Sequence, residues 1–189
     1  IKQFDILPEK IDVVPNGVDV ERFNPGRFDK WAARKKYGVF SQKIVLFIGR
    51  LDRQGIEQKG IVYYLKAASI VIQEFKDVKF VIAGGGGNKQ VDYIKHLAKK
   101  LGILDHIKFI IRFPAEASPL IYSMADIFVL PSLFESFGIS LIEAMAMEKT
   151  VISTKFRGVK DVVKENETGL LVPPMNADML AEEIFQLLH

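Results

Sequence analysis

Two glutamates, Glu135 and Glu143, lie eight positions apart on either side of a glycine, Gly138. If the whole stretch between them were helical, the rise of about 1.5 Å per residue would place them about 12 Å apart along the axis. Carboxyl groups that act as a pair in glycoside hydrolysis lie roughly 5 to 9.5 Å apart. The spacing therefore argues against an acid–base pair and favours two carboxylates that bind different parts of one extended ligand.

Two cations accompany this stretch. Arg50 and Lys59 flank the end of an upstream strand and the start of the helix that follows it. A guanidinium binds phosphate through two parallel hydrogen bonds, and an ammonium adds a point charge. Gly138 can begin a helix, whose unpaired N–H groups attract anions. Either cation alone is typical of a solvated surface, but both at the same sheet edge as Gly138 favour a diphosphate ligand.

Strands and helices alternate along the chain that must position these groups. Short apolar runs predict strands at residues 11–14, 43–48, 78–83, 107–111, 127–130, 151–154 and 170–172. Helical spacing predicts helices at residues 28–37, 59–75 and 117–124, after Gly87 with Leu101 on the inner side, after Gly138, after Gly158, and around Leu180 and Ile184. This alternation predicts an α/β fold, a Rossmann-like doubly wound parallel sheet with helices on both faces.

In such a fold, ligands bind beyond the carboxyl ends of the strands. The candidate segments are residues 49–50, 84–87, 112–113 and 132–138. The glycines at 84–87 do not match G-x-G-x-x-G, because Lys89 or Gln90 stands where the third glycine is required, and no P-loop sequence occurs. Two interpretations remain open around Gly85: a flexible turn, or a loop whose backbone a phosphate or sugar can approach.

Composition narrows the class of protein. The 189 residues are 49% apolar with a mean hydropathy of +0.14, which predicts a single domain over residues 1–189 with a sizeable core. The 26 basic and 23 acidic residues include no dense basic run, so we expect a small anionic ligand and no nucleic acid. The absence of cysteine excludes a disulfide scaffold, a thiolate nucleophile and cysteine-ligated metals. The three histidines have no ligand spacing and no Asp-x-Asp occurs, so no metal site is expected.

Targeting signals are also missing from the sequence. No apolar run approaches the roughly 18 residues of a membrane span, and no signal peptide leads the chain, so a cytoplasmic protein is expected. The chain begins with Ile1 rather than methionine, and its last helix stops abruptly at His189. We therefore interpret it as one domain of a longer protein.

Five segments of the chain carry motifs that occur together, in this order, in one enzyme family. They are VVPNGVDVERFNP at 13–25, FIGRL at 47–51 with KG at 59–60, YSMADIFVLPS at 122–132, ESFG at 135–138 with LIEAM at 141–145, and ETGLLVP at 167–173. Over nearly its whole length the chain resembles the retaining GT-B glycosyltransferases of family four. Glu135 and Glu143 match the family's Glu-x7-Glu signature.

The resemblance implies that the chain is the donor-binding, C-terminal half of a two-domain GT-B enzyme. Such an enzyme transfers a hexosyl group from a UDP-, GDP- or ADP-sugar to a sugar, lipid or polysaccharide acceptor, with retention of configuration and without metal or cofactor. The absent N-terminal domain would carry most of the acceptor site and any contact with a membrane surface. By itself, the chain would bind the nucleotide sugar without transferring the sugar.

The resemblance also implies a role for each site residue. Arg50 and Lys59 would neutralise the diphosphate in place of a metal ion, Glu135 would contact the sugar hydroxyls, and Glu143 would hold the ribose. We take Arg50, Lys59 and Glu135 as the catalytic residues. The remaining donor-binding residues would be Gly85, Ile111, Arg112 and Phe113 near the base, and Phe137, Gly138 and Ile139 through their main-chain N–H groups.

The chain departs from the family pattern at four places. The spacing between Arg50 and Lys59 is longer than is common, so Arg53 is an alternative to Lys59. Arg112 and Glu148 stand where glycine is common, and Arg157 and Gly158 replace a pair of glycines. Arg112 would either stack on the base or be solvated. Two further interpretations stay open: another GT-B enzyme, such as an epimerase or phosphorylase, or a non-catalytic interaction domain.

Overall fold

Six parallel strands form one sheet in the computed structural model, which describes residues 7–12 and 14–189. They are β1 (Lys43–Ile48), β2 (Val78–Gly84), β3 (Ile107–Ile111), β4 (Ile127–Leu130), β5 (Thr150–Thr154) and β6 (Leu170–Val172). Their order is β3-β2-β1-β4-β5-β6, and every neighbouring pair is parallel. The chain adds β2 and β3 on one side of β1 and then crosses back to add β4 on the other. Strand order therefore reverses between β1 and β4.

Eight helices connect and cover these strands in the described residues. They are α1 (Lys30–Tyr37), α2 (Arg53–Gln58), α3 (Ile61–Glu74), α4 (Asn88–Lys100), α5 (Ser118–Ser123), α6 (Ile139–Ala146), α7 (Arg157–Lys160) and α8 (Ala177–Leu188), with short 3-10 turns at Pro8–Lys10, Pro25–Arg27, Leu104–His106 and Ala115–Ala117. The helix α3 packs against α4 and α8, and α1 packs against α5. Because right-handed crossovers in opposite directions place their helices on opposite faces, the sheet is doubly wound. The predicted α/β fold is confirmed.

The core lies where the sequence has its continuous apolar runs. The residues Ile44, Val45, Leu46 and Phe47 of β1 and all four residues of β4 are buried. Both strands are central, so helices cover both of their faces and every side chain must be apolar. The bounds predicted for β1, β3, β4 and β6 are confirmed, and β2 and β5 are each one residue longer than predicted.

Two predictions about the elements are wrong, and the bounds of a third element differ from those predicted. Ile11, Asp12 and Val14 lie outside any strand, whereas Val13 is outside the described residues. A short apolar run becomes a strand only if a neighbour accepts its hydrogen bonds, and no described strand pairs with this one. The helix predicted over residues 59–75 forms as α3 but begins only at Ile61, because Gly60 turns the chain with a φ of 65°. Leu101, predicted to face inward, lies just after α4 and is 37% exposed.

No helix within residues 7–12 and 14–189 is both long enough and apolar enough to cross a lipid bilayer.

Candidate functional site

The ends of β1, β2 and β3 are joined by backbone contacts at the carboxyl edge of the sheet. Leu51 N donates to Gly85 O at 2.7 Å, and Arg112 N donates to Gly84 O at 3.1 Å. A Cβ added at Gly84 would overlap the carbonyl oxygen of Gly49. The glycines at this turn thus permit the close approach of two strand ends, while Gly85 is exposed at its surface.

Arg112 fixes the same turn with its side chain. Its Nε donates to Gly86 O at 3.2 Å, and its Nη2 donates to Asn88 Oδ1 at 2.7 Å. Its φ is 56°, a left-handed conformation that favours glycine. Its neighbours Ile111 and Phe113 are partly buried against the core. The Arg112 side chain therefore closes the glycine turn rather than being simply solvated, and its stacking on a base stays a prediction.

The helix α2, which the sequence patterns did not predict, links β1 to the loop after β4. Asp52 caps it by accepting from Gly55 N at 2.6 Å. At its other end Gln58 O accepts from Leu133 N at 2.7 Å and from Phe134 N at 3.2 Å. The additional residues between Arg50 and Lys59 thus form a helical turn that holds the loop carrying Glu135.

Lys59 and Glu135 meet at this loop. Lys59 Nζ lies 2.5 Å from Glu135 Oε2, and the Ser132 hydroxyl donates to the same oxygen at 3.4 Å. The Glu135 side chain is 8% exposed and that of Lys59 is 20% exposed. Gly60 makes this placement possible, because a Cβ there would overlap the carbonyl oxygen of Pro131 at the end of β4. Ser132 is in turn held by Thr154, whose hydroxyl donates to Ser132 O at 2.5 Å.

The two other cations near this edge point elsewhere. The Arg50 side chain is 59% exposed, and its Nη1 lies 3.7 Å from Asp52 Oδ2. Arg53, the alternative to Lys59, pairs with Glu57 along the exposed side of α2. Lys59 is therefore the cation that contacts Glu135, and Arg50 lies exposed at the same edge beside Asp52.

The start of α6 is open toward the loop of Glu135. Gly138 precedes it with a φ of 90°, and no side chain caps the helix. Phe137 is partly buried, and Ile139 is exposed in the first turn. Behind the loop, a Cβ added at Gly158 would overlap the carbonyl oxygen of Ser136. A side chain at position 158 would therefore displace the loop at Ser136.

Glu143 lies further along α6 and has its own partners. The Tyr122 hydroxyl donates to Glu143 Oε2 at 2.8 Å and to Ser140 O at 3.2 Å. Burial raises the pKa of Glu143 above its ordinary value, while the bond from Tyr122 and the charge of Arg22 oppose that rise. The pKa of Tyr122 is raised well above its ordinary value, first by burial and then by Glu143. Glu135 and Glu143 therefore lie in separate environments and have no hydrogen-bond partner in common.

Tyr122 and Arg22 are site residues that the sequence reasoning missed. Tyr122 is fully buried on α5, in a run that reads as ordinary core. Arg22 precedes α1 in a turn where Asp19 Oδ1 accepts from Arg22 N at 3.1 Å. Tyr122 and Glu143 are 21 residues apart and lie on different helices, so no periodicity within one element relates them. Within the described part of the chain, no group of three or more histidine, aspartate or glutamate side chains is arranged to hold a metal ion.

Comparison with known proteins finds a family model and sequences that are similar to this chain. The family model described as glycosyl transferases group 1 matches residues 29–189. D-inositol 3-phosphate glycosyltransferase of Corynebacterium urealyticum is 34% identical over 192 residues, covering 98% of this chain and 44% of that protein. The chain thus spans less than half the length of this curated relative.

Solved structures match in the same way. The C-terminal domain of a glycosyl transferase group 1 family protein (LpcC) from Francisella tularensis has a TM-score of 0.76 and 26% identity, covering 91% of this chain and 88% of that chain. The structure of Anabaena HepE in complex with UDP has a TM-score of 0.82 and 25% identity, covering 99% of this chain and 50% of that chain. The likeness therefore covers nearly all of one isolated domain and half of one longer chain.

Proposed function

The chain belongs to the glycosyl transferases group 1, whose family model matches residues 29–189, and from that premise we propose that it is the donor-binding half of a nucleotide-sugar-dependent glycosyltransferase. The observation that carries the proposal is the contact between Lys59 and Glu135 beside the open start of α6. A sugar diphosphate needs both elements, since its phosphates bind cations and N–H groups and its sugar hydroxyls bind carboxylates.

In this proposal Arg50 and Lys59 neutralise the diphosphate as it leaves, and no metal ion or other cofactor is required. Stabilising the charge that develops on a leaving group is the largest single contribution in many such reactions. Both cations follow β1, and the uncapped helix α6 begins after β4, its neighbour in the sheet. The site thus lies where strand order reverses, which is the usual ligand position in this fold.

Glu135 binds the hydroxyls of the donor sugar, assisted by the main-chain N–H groups of Phe137, Gly138 and Ile139. Glu143 binds the ribose, and the base lies near Gly85, Ile111, Arg112 and Phe113. A hexosyl group is transferred with retention, the acceptor attacking on the face from which the diphosphate leaves. Proton NMR of the product's anomeric configuration tests the retention.

We further propose that the acceptor, a sugar, lipid or polysaccharide, is bound mostly by a second domain. Support comes from the relative of which this chain covers 44% and from the isolated C-terminal domain to which it is similar. The chain alone then binds the donor without turnover. Transfer by the 189-residue chain at the full rate of a two-domain enzyme would contradict this division of labour.

Isothermal titration of the chain with UDP, GDP and ADP tests the donor site. We expect heat from at least one of them, and weaker binding of the matching monophosphate, because Arg50 and Lys59 act on the second phosphate. Lys59→Gln should remove most of that difference, whereas Lys66→Gln on the exposed side of α3 should not. A folded chain that gives no heat with any of the three diphosphates would overturn the proposal.

A further inference from the structure

Glu143 is held by a buried hydroxyl on one of its two oxygens. Tyr122 donates to Glu143 Oε2 at 2.8 Å, while the Tyr122 ring itself is fully buried. The ring packs edge-on against Phe23 at 6.0 Å and in a tilted arrangement against Phe128 at 5.4 Å between centroids. Because these two rings fix the tyrosine, its hydroxyl offers the carboxylate one fixed point of attachment.

Arg22 supports the tyrosine from the segment before α1. Its Nη2 donates to Ala115 O at 2.5 Å, and its guanidinium lies 5.1 Å from the centroid of the Phe23 ring. The charge of Arg22 also opposes the burial that raises the pKa of Glu143. The segment before α1 therefore orders the ring that packs on Tyr122.

The geometry points to Tyr122 as a positioning residue, supported by Arg22 through the Phe23 ring: we infer that Tyr122 holds Glu143 with Oε2 engaged and Oε1 available to a vicinal diol. A carboxylate accepts hydroxyls well only if its plane is fixed. Tyr122 fixes that plane, and Arg22 helps to fix Tyr122. Neither side chain contacts the ligand in this arrangement. The inference rests on the proposed binding of a nucleotide ribose by Glu143.

Tyr122→Phe removes the hydroxyl and keeps the ring packing. The expected result is that UDP binds about tenfold more weakly, as for loss of one hydrogen bond to a charged group. The matched control is Tyr64→Phe, since Tyr64 is also fully buried and its hydroxyl bonds Val45 O at 2.8 Å and Val81 O at 3.1 Å, away from Glu143. Both variants should lower the melting temperature, but only Tyr122→Phe should weaken UDP binding.

A second ligand separates positioning from mere stability. The wild-type chain should bind UDP more tightly than 2′-deoxy-UDP. In Tyr122→Phe, the ratio of the two dissociation constants should shrink toward one. Equal weakening of both ligands would overturn the inference, because Tyr122 would then not act through the diol. Arg22→Gln gives an independent reading from an exposed position and should also shrink the ratio.

Different outcomes overturn the proposed function and the positioning role. If UDP, GDP and ADP all fail to bind the folded wild-type chain, the proposed function and this inference both fall. If a nucleotide binds and Glu143→Gln weakens it, but Tyr122→Phe and Arg22→Gln bind like the wild type, only the positioning role falls. Should GDP or ADP bind more tightly than UDP, the same comparison is made with that nucleotide and its 2′-deoxy form.

Discussion

Lys59 Nζ lies 2.5 Å from Glu135 Oε2, although the two residues are 76 positions apart in the chain. One follows β1 and the other follows β4, so the contact joins the two sides of the point where strand order reverses. In the structure the two charges pair with each other. A sugar diphosphate would bring phosphate oxygens to Lys59 and hydroxyls to Glu135, and the pair then serves as a bridge between the two halves of the donor.

Glu135→Gln should separate binding from transfer. The amide keeps the shape of the side chain but lacks the negative charge that pairs with Lys59. The Lys59 ammonium is then available to bind the phosphates. We expect UDP affinity not to fall, while transfer by the full-length enzyme falls about 100-fold, the scale of losing one polar contact at the reacting group. Titration with UDP and an assay of sugar transfer measure the two quantities.

Glu165→Gln is the matched control for that change, because Glu165 also pairs with a lysine, Lys155, at 2.7 Å, and lies outside the site. Its transfer rate should equal that of the wild type. Unchanged turnover in Glu135→Gln would remove Glu135 from the chemistry.

Glu143 should make stability depend on pH. Burial raises the pKa of Glu143 above its ordinary value of 4.5, so the folded chain holds this proton more tightly than the unfolded chain. The stabilisation from binding this proton is fully present at pH values below the Glu143 pKa of the unfolded chain. It is lost as the pH rises through the Glu143 pKa of the folded chain. Glu143→Gln, which stays neutral, should therefore be more stable than the wild type at about pH 7, with the difference closing near pH 4 and below.

Urea unfolding of both proteins at several pH values measures this difference. Glu182→Gln, at an exposed position of α8, serves as the comparison and should show no such pH-dependent gain. A Glu143→Gln variant that is less stable than the wild type at neutral pH, and matches it only in acid, would contradict the sign.

The central strands were readable from the sequence because their buried positions form continuous apolar runs. All of β4, and β1 after Lys43, is apolar because helices cover both faces of the sheet, and such a run predicts a central parallel strand. The α2 segment has no such signature: it is six residues long, mostly polar and contains Gly55. It is helical because Asp52 caps it and because its last carbonyl meets Leu133 and Phe134, contacts that form only in the folded chain.

The candidate site was likewise predictable from the sequence only in part. The types and spacing of Glu135, Gly138 and Glu143 predicted two carboxylates around a helix start, and α6 does begin at Ile139. The partner of each carboxylate was not predictable, because Lys59 and Tyr122 reach them through packing between distant segments. A pattern along one element carries no information on which other element will pack against it.

Glu148 occupies a left-handed position just after α6, with a φ of 56°. Its N–H donates to Met145 O at 2.9 Å, as is usual where a helix ends in this conformation. Since the left-handed region costs a residue with a Cβ about 1 kcal/mol, Glu148→Gly should raise the free energy of unfolding by up to about that amount. Chemical denaturation measures it.

Glu182→Gly is the control for that substitution, because it introduces glycine inside the regular helix α8. There the free energy of unfolding should fall by about 1 kcal/mol. A loss of stability in Glu148→Gly as well would mean that the Glu148 side chain contributes more than its conformation costs.

Gly55→Ala tests whether α2 positions the loop that carries Glu135. A Cβ at this position would overlap the carbonyl oxygen of Arg50, so α2 must shift and carry Gln58, with its bonds to Leu133 and Phe134, out of place. We expect a loss of about 1 to 3 kcal/mol in the free energy of unfolding. Transfer should fall by about 100-fold, because displacements near 1 Å at a reacting group have effects of that size.

Gln54→Ala, an exposed neighbour on the same helix, is the matched control and should change neither quantity appreciably. The decisive comparison is made well below the melting temperature of Gly55→Ala, where the variant is fully folded. If Gly55→Ala then transfers sugar at the wild-type rate, α2 supports only the fold. If it retains UDP binding but loses transfer, the residues between Arg50 and Lys59 act on the Glu135 loop, as the bonds from Leu133 and Phe134 to Gln58 imply.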